Sequence, residues 1–99
     1  MMEKYNFDVT LYTRIGKRKG KLCFSVNNGI IDGVLNLFQG SQRVQGVMDD
    51  EGVCSIQGKI STLMNEFSFI ATGQVVAERI MLTLRGACRN FKLVGVQNG

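Results

Sequence analysis

Apolar and polar residues alternate along almost the whole chain, and this alternation restricts the possible folds more than any other feature of the sequence. In the first segment the apolar positions are Tyr5, Phe7, Val9, Leu11 and Ile15. A period of two places successive side chains on opposite faces of a β-strand. The same pattern predicts eight strands, at residues 5–15, 21–26, 30–38, 42–48, 53–60, 66–73, 75–85 and 89–96.

Short polar or glycine-containing segments separate these strands. An Asn-Gly pair, Asn28-Gly29, lies between two alternating segments and predicts a tight hairpin, because both central residues of a type I′ turn need positive φ. The segment Asp49-Asp50-Glu51-Gly52 predicts another reversal. Turns this short join neighbouring antiparallel strands.

The predicted fold is therefore all-β, in a single domain that spans residues 1–99, since 99 residues hold one core. The eight strands form an antiparallel meander, closed or nearly closed into a barrel. A two-layer β-sandwich is the alternative. Residues 75–85 also fit a helical period, with Val76, Ile80 and Leu84 on one side, and a helix there would make the fold α+β.

Five glycines fall on the apolar faces of predicted strands, at positions 33, 46, 58, 73 and 95. Glycine costs backbone entropy in a strand and contributes no side chain to a core, so these positions need an explanation. Kinks that allow a sheet to curve into a small barrel are the structural explanation, which we favour. Space for a small apolar ligand inside the barrel is the functional alternative.

Composition narrows the class of protein further. The chain has no apolar run long enough to cross a membrane and no apolar segment near Met1 typical of a signal peptide, which predicts a cytoplasmic protein without a membrane partner. The three cysteines, Cys23, Cys54 and Cys88, cannot all pair within one chain, and we expect them to be small structural residues.

Catalytic and metal-binding patterns are missing. The chain has no histidine, which removes Ser-His and Cys-His pairs and the commonest transition-metal ligand. The acids at 49–51 do not have the spacing of a calcium loop and predict a solvated turn, and Asp32 and Glu78 are single acids within predicted strands. We therefore expect no enzyme activity, no catalytic residues, no cofactor and no metal.

The positive charge is concentrated in one short segment. Five of the 12 Lys and Arg residues lie between positions 14 and 21, whereas the rest of the chain is close to neutral. With Tyr12 as the nearest exposed aromatic, this predicts a basic hairpin tip that binds a partner through Tyr12, Arg14, Lys17, Arg18, Lys19 and Lys21. A lysine-rich tip that only confers solubility is the simpler explanation.

Three functional hypotheses follow from these features. The first is a non-enzymatic interaction module whose basic tip binds an acidic protein surface. Self-association is also expected, because Ile30, Val34, Phe38 and Ile70 fall on nominally polar faces. The alternatives are a barrel that holds a small apolar ligand and a nucleic-acid-binding protein that uses the same basic tip.

Overall fold

The computed structural model describes residues 2–14, 16–37, 40–61, 66–86 and 90–98. The side chains of residues 2, 60, 61 and 67 are not described. Eight strands follow one another along the chain: β1 (Met2–Thr13), β2 (Gly16–Asn27), β3 (Ile30–Asn36), β4 (Ser41–Met48), β5 (Val53–Ser61), β6 (Glu66–Val76), β7 (Arg79–Arg85) and β8 (Asn90–Gln97).

Each strand pairs antiparallel with the next, and β8 pairs with β1, so the sheet closes into one barrel. The predicted fold class is therefore confirmed, and residues 79–85 form a strand rather than a helix. In the described part of the chain, no helix that could traverse a bilayer occurs.

The strands are strongly staggered around the barrel. The stagger is measured by moving from each residue to its cross-strand partner around the barrel. A path that starts at Tyr12 of β1 and passes to Lys92 of β8 and then through the other strands returns to β1 at Met2. The path therefore ends about ten residues from its start. A stagger of this size tilts the strands, and it leaves the first residues of β2 paired with β1 but not with β3. Residues 16–20 of β2 therefore continue beyond the end of β3.

Alternating residues of every strand point into the barrel and fill it. The buried apolar residues are Phe7, Val9, Leu11, Leu22, Phe24, Ile31, Leu35, Leu37, Val44, Cys54, Ile56, Phe69, Ala71, Ile80, Leu82, Leu84 and Leu93. Tyr5 extends this core toward one end, where its ring stacks on Phe24 with centroids 5.1 Å apart. No buried polar or charged side chain interrupts the core among the described residues.

The inward glycines lie where neighbouring strands come closest. A Cβ added to Gly46 would overlap the carbonyl oxygen of Ser55, and one added to Gly73 would overlap that of Met81. A Cβ on Gly95 would lie 2.7 Å from Cγ1 of Val9. Neighbouring backbone and side chains thus occupy the space left by these glycines, which supports the structural explanation over a ligand cavity.

The basic segment is not the loop that the sequence indicated. Residues 16–20 were predicted to link two strands, but they belong to β2, and Thr13 pairs with Gly16 across the hairpin. Glycine and lysine disfavour strands in general, yet here cross-strand pairing with β1 determines the conformation. The predicted basic tip is therefore part of the sheet: residues 17–20 of β2 pair with 9–12 of β1, which pair in turn with 92–95 of β8.

The second correction concerns the end of β6. Strand six was predicted to end at residue 73 and strand seven to begin at 75, whereas β6 continues to Val76 and the chain turns at Ala77 and Glu78. Ala77 adopts a positive φ of 55°, and Glu78 lies in this turn instead of a strand. The predicted first strand also shifts, from 5–15 to Met2–Thr13.

The predicted Asn-Gly turn is confirmed. Asn28 and Gly29 have φ values of 54° and 80°, and the flanking residues Asn27 and Ile30 pair with each other. Ile15, Phe38 and Cys88, to which the sequence analysis gave roles, lie outside the described residues.

Candidate interaction surface

The two ends of the barrel carry opposite charge. In an antiparallel meander alternate turns share an end, so the β2–β3, β4–β5 and β6–β7 turns lie at one end together with both termini. That end, the acidic end, carries Asp49, Asp50, Glu51 and Glu78. The β1–β2 turn and the lysines that precede residue 22 lie at the other end, the basic end.

Three lysines project from the outer face of β2. Because Leu22 and Phe24 point inward, Lys17, Lys19 and Lys21 share the opposite face, and all three are exposed. Successive residues on one face of a strand are about 6.8 Å apart. The lysines therefore form a row with a fixed spacing.

A second line of residues crosses the barrel surface from this row onto the neighbouring strands. Tyr12 on β1 is opposite Lys17 on one side and opposite Lys92 of β8 on the other, so one cross-strand line contains two cations and an aromatic ring. Tyr12 is 41% exposed. We name the surface formed by Tyr12, Lys17, Lys19, Lys21 and Lys92 the cationic face.

Lys17 and Tyr12 are in direct contact. The Lys17 Nζ lies 5.6 Å from the centre of the Tyr12 ring, within the range of a cation–π interaction. An interaction of this kind at an exposed site contributes about 0.5–1 kcal/mol and restricts both side chains.

The lysines of the cationic face form no ion pair with an acid in the described ranges. The nearest acid by register is Asp8, the cross-strand partner of Lys21. Its carboxylate accepts a hydrogen bond of 2.9 Å from Nδ2 of Asn98. The cationic face therefore presents several charges that a partner can neutralise.

The remaining predicted site residues lie apart from this face. Arg14 is exposed in the turn after β1, whereas Arg18 points to the opposite side of β2 and is the cross-strand partner of the buried Leu11. Lys92 was missed by the sequence analysis. Its position beside Tyr12 depends on the register of β1 with β8, which no local pattern reveals.

The acidic residues of the β4–β5 turn have a structural role. Oδ1 of Asp49 accepts hydrogen bonds from the backbone N–H groups of Glu51 (2.9 Å) and Val53 (3.0 Å). This arrangement organises the turn, and Gly52 completes it with a φ of 85°. Among the described residues, no group of three or more Asp, Glu or Cys side chains could hold a metal ion.

Two acids outside that turn, Asp32 and Glu3, also have partners. Asp32 forms a bidentate ion pair with Arg43 at 3.0 and 3.2 Å, and Glu3 accepts a 2.7 Å hydrogen bond from the Tyr5 hydroxyl. The hydrogen bond to Glu3, assisted by burial, raises the pKa of Tyr5. The hydrogen bonds and the negative charge of Asp32 raise the pKa of Arg43. These are pairings on the protein surface and near its rim.

The two described cysteines are unpaired and differ in exposure. Cys54 is buried, and burial, assisted by the negative charge of Asp49, raises its pKa to about 11. Cys23 is half-buried on the outer side of β2, between Asn6 and Val34. A thiol with a raised pKa is a poor nucleophile, so Cys54 has the properties of a core residue.

Large apolar side chains are exposed on the outer wall. As predicted, Ile30, Val34 and Ile70 face outward, with Ile30 62% and Ile70 52% exposed. Val47 is the cross-strand partner of Ile30 and is also exposed. Nothing in the structure shows what covers them, so self-association stays a prediction.

The sequence matches no protein-family model, and no curated protein is significantly similar to it.

Proposed function

We propose that this protein is a non-enzymatic interaction module that binds an acidic segment of a partner protein on its cationic face. The observation that carries the proposal is the cross-strand line of Lys17, Tyr12 and Lys92, which lies across the paired strands β2, β1 and β8. Charges held by strands lose less conformational freedom on binding than charges in a mobile loop, and this favours recognition of a definite partner.

Several carboxylates are already used in contacts within the protein, whereas the lysines of the cationic face are exposed, and this supports a binding role for that face. The carboxylates of Asp32, Asp49 and Glu3 all accept bonds within the protein.

A protein partner is favoured over a nucleic acid by the environment of Tyr12. Proteins that bind single strands stack bases on exposed aromatic rings. The cationic face has one aromatic residue, and the Lys17 ammonium lies over its ring. A base that stacks on this face of the ring would displace Lys17, whereas carboxylates could reach the lysines without disturbing this contact.

Binding of simple probes tests the proposal. Fluorescence anisotropy is measured for a labelled peptide of alternating Glu and Ser, for its Gln analogue, and for a single-stranded oligonucleotide of equal charge. The acidic peptide should bind, its affinity should fall as salt increases, and the Gln analogue should bind at least tenfold more weakly.

The controls separate the partner classes. Oligonucleotide binding at least tenfold tighter than peptide binding would replace the protein partner with a nucleic acid. Equal binding of the Glu and Gln peptides would exclude an electrostatic docking surface.

A further inference from the structure

Strands β4 and β5 separate at the basic end of the barrel. Their ladder runs from Met48–Cys54 to Val44–Gly58 and ends there, although both strands continue for three more residues. Ser41–Arg43 of β4 pair only with β3, and 59–61 of β5 pair only with β6. Two short sheet edges therefore face each other across a gap.

A groove occupies this gap. It has a volume of about 970 Å³, and Gly58 and Phe69 lie along its length. The exposed side chain of Ile70 lies beside it and is the cross-strand partner of Arg85, which also lines the groove. The groove thus combines sheet edges with an apolar contact.

The charge lining the groove is mainly positive. Arg43, Lys59 and Arg85 all lie along it. Arg43 pairs with Asp32, and Lys59 lies 3.7 Å from Glu66, but within the described ranges no acid pairs with Arg85. An exposed pair with a single long contact, such as Lys59–Glu66, contributes little and is easily exchanged for a new partner.

We propose that the β4–β5 groove binds an extended acidic segment of a partner protein, which adds as a strand between the two separated edges. Open strand edges bind extended peptides through main-chain hydrogen bonds, and side chains of the segment provide the specificity. Acidic side chains would reach Arg85 and Lys59, and an apolar side chain would contact Ile70. This site is separate from the cationic face, which lies on β1, β2 and β8.

The probe is a blocked peptide of alternating Glu and Val, studied with the variant Lys17→Ser/Lys19→Ser so that the cationic face contributes little. Amide NMR shifts should be largest at Arg43, Lys59 and Ile70. N-methylation of alternate peptide nitrogens keeps the charge but removes main-chain donors, and it should weaken binding at least fivefold.

Two charge variants provide the matched comparison on one strand. Arg85→Glu should weaken binding about tenfold, whereas Arg79→Glu, at the other end of β7, should change it less than twofold. If Arg85→Glu does not fold, Arg85→Gln replaces it in the comparison. The comparison of methylated and unmethylated peptides does not depend on either Arg85 variant.

Several results would overturn the groove site. The first is equal affinity for the methylated and unmethylated peptides. The second is a set of amide NMR shifts restricted to β1 and β2. The third is that the folded protein does not bind the Glu-Val peptide. Shifts at Arg43 and Lys59 on concentrating the protein without peptide would assign the groove to a second copy of this chain instead. None of these results tests the cationic face, because Lys17 and Lys19, two of its four lysines, are replaced throughout.

Discussion

Tyr12 and Lys17 face each other across the β1–β2 ladder, with the Lys17 ammonium 5.6 Å from the centre of the Tyr12 ring. This pair lies next to the end of the hairpin, where Thr13 and Gly16 form the last pair. The contact joins the two strands where β2 pairs with β1 and has no partner in β3. The cationic face consequently has a defined geometry.

The first prediction concerns the order of residues 17–19. If they belong to a strand, their ¹⁵N order parameters should approach the value of about 0.85 typical of a rigid backbone and match that of Phe24 in the same strand. Tyr12→Ala should lower the values at Lys17 and Lys19 but leave Phe24 unchanged. Values below about 0.6 in the unmodified protein would show a mobile loop and contradict the described hairpin.

The second prediction concerns the close approach of strands at inward glycines. Gly46→Ala and Gly73→Ala should each lower the free energy of unfolding by about 3 kcal/mol, because the new methyl group meets a backbone carbonyl that cannot move independently. Gly40→Ala is the control. Its site is open, and only its φ of 79° opposes alanine, so the expected cost is about 1 kcal/mol.

Chemical denaturation measures all three variants. If Gly46→Ala and Gly73→Ala are as stable as the unmodified protein, the strands are farther apart than described, and the glycines would then leave space inside the barrel.

The third prediction separates two neighbouring acids in the β4–β5 turn. Asp49→Ala should cost about 1–2 kcal/mol of stability, since two backbone N–H groups lose their acceptor. Asp50→Ala removes the same charge and should change stability by less than about 0.5 kcal/mol. Thermal and urea unfolding check both variants. Equal effects would show that charge, and not the hydrogen bonds of Asp49, stabilises the turn.

The fourth prediction follows from the raised pKa of Cys54. Its thiol has a pKa of about 11 in the folded protein against the ordinary cysteine value of 9.0, so the folded state disfavours the thiolate. The stabilising effect is complete below pH 9 and is lost as the pH rises toward 11. Stability should fall by up to about 1.4 kcal/mol per pH unit in that range.

Urea unfolding between pH 8 and 11 measures this slope, with Cys54→Ala as the control that keeps every other titratable group. The decrease of the unfolding free energy with pH should be less steep in Cys54→Ala, because the variant has no thiol to ionise at this position. Identical slopes would show that the thiol is not desolvated in the folded protein.

Much of the fold could be predicted from local patterns. Alternation in segments such as 5–11 and 79–85 identified the inward residues, and Asn28-Gly29 identified a turn by its conformational requirement. The turn at Ala77-Glu78 was missed because alanine rarely adopts positive φ, so no local signal marks it. The strand conformation of residues 16–20 was missed because their polar composition is equally typical of a loop.

The candidate site was only partly predictable. The lysines at 17, 19 and 21 are apparent from composition, and alternation places them on one face once they are known to form a strand. The contribution of Lys92 and the separation of β4 from β5 depend on register between strands and on the stagger of the barrel. These are properties of the closed sheet, and no segment of the sequence encodes them alone.

The affinity of the acidic Glu-Ser peptide for two double variants tests the central claim most directly. Lys17→Ser/Lys19→Ser and Lys4→Ser/Arg79→Ser remove equal charge, the second pair lying on β1 and β7 away from the cationic face. We predict that the first weakens binding about three- to tenfold and the second less than twofold. Equal losses would mean that net charge alone attracts the peptide, and would contradict the cationic face as a binding site.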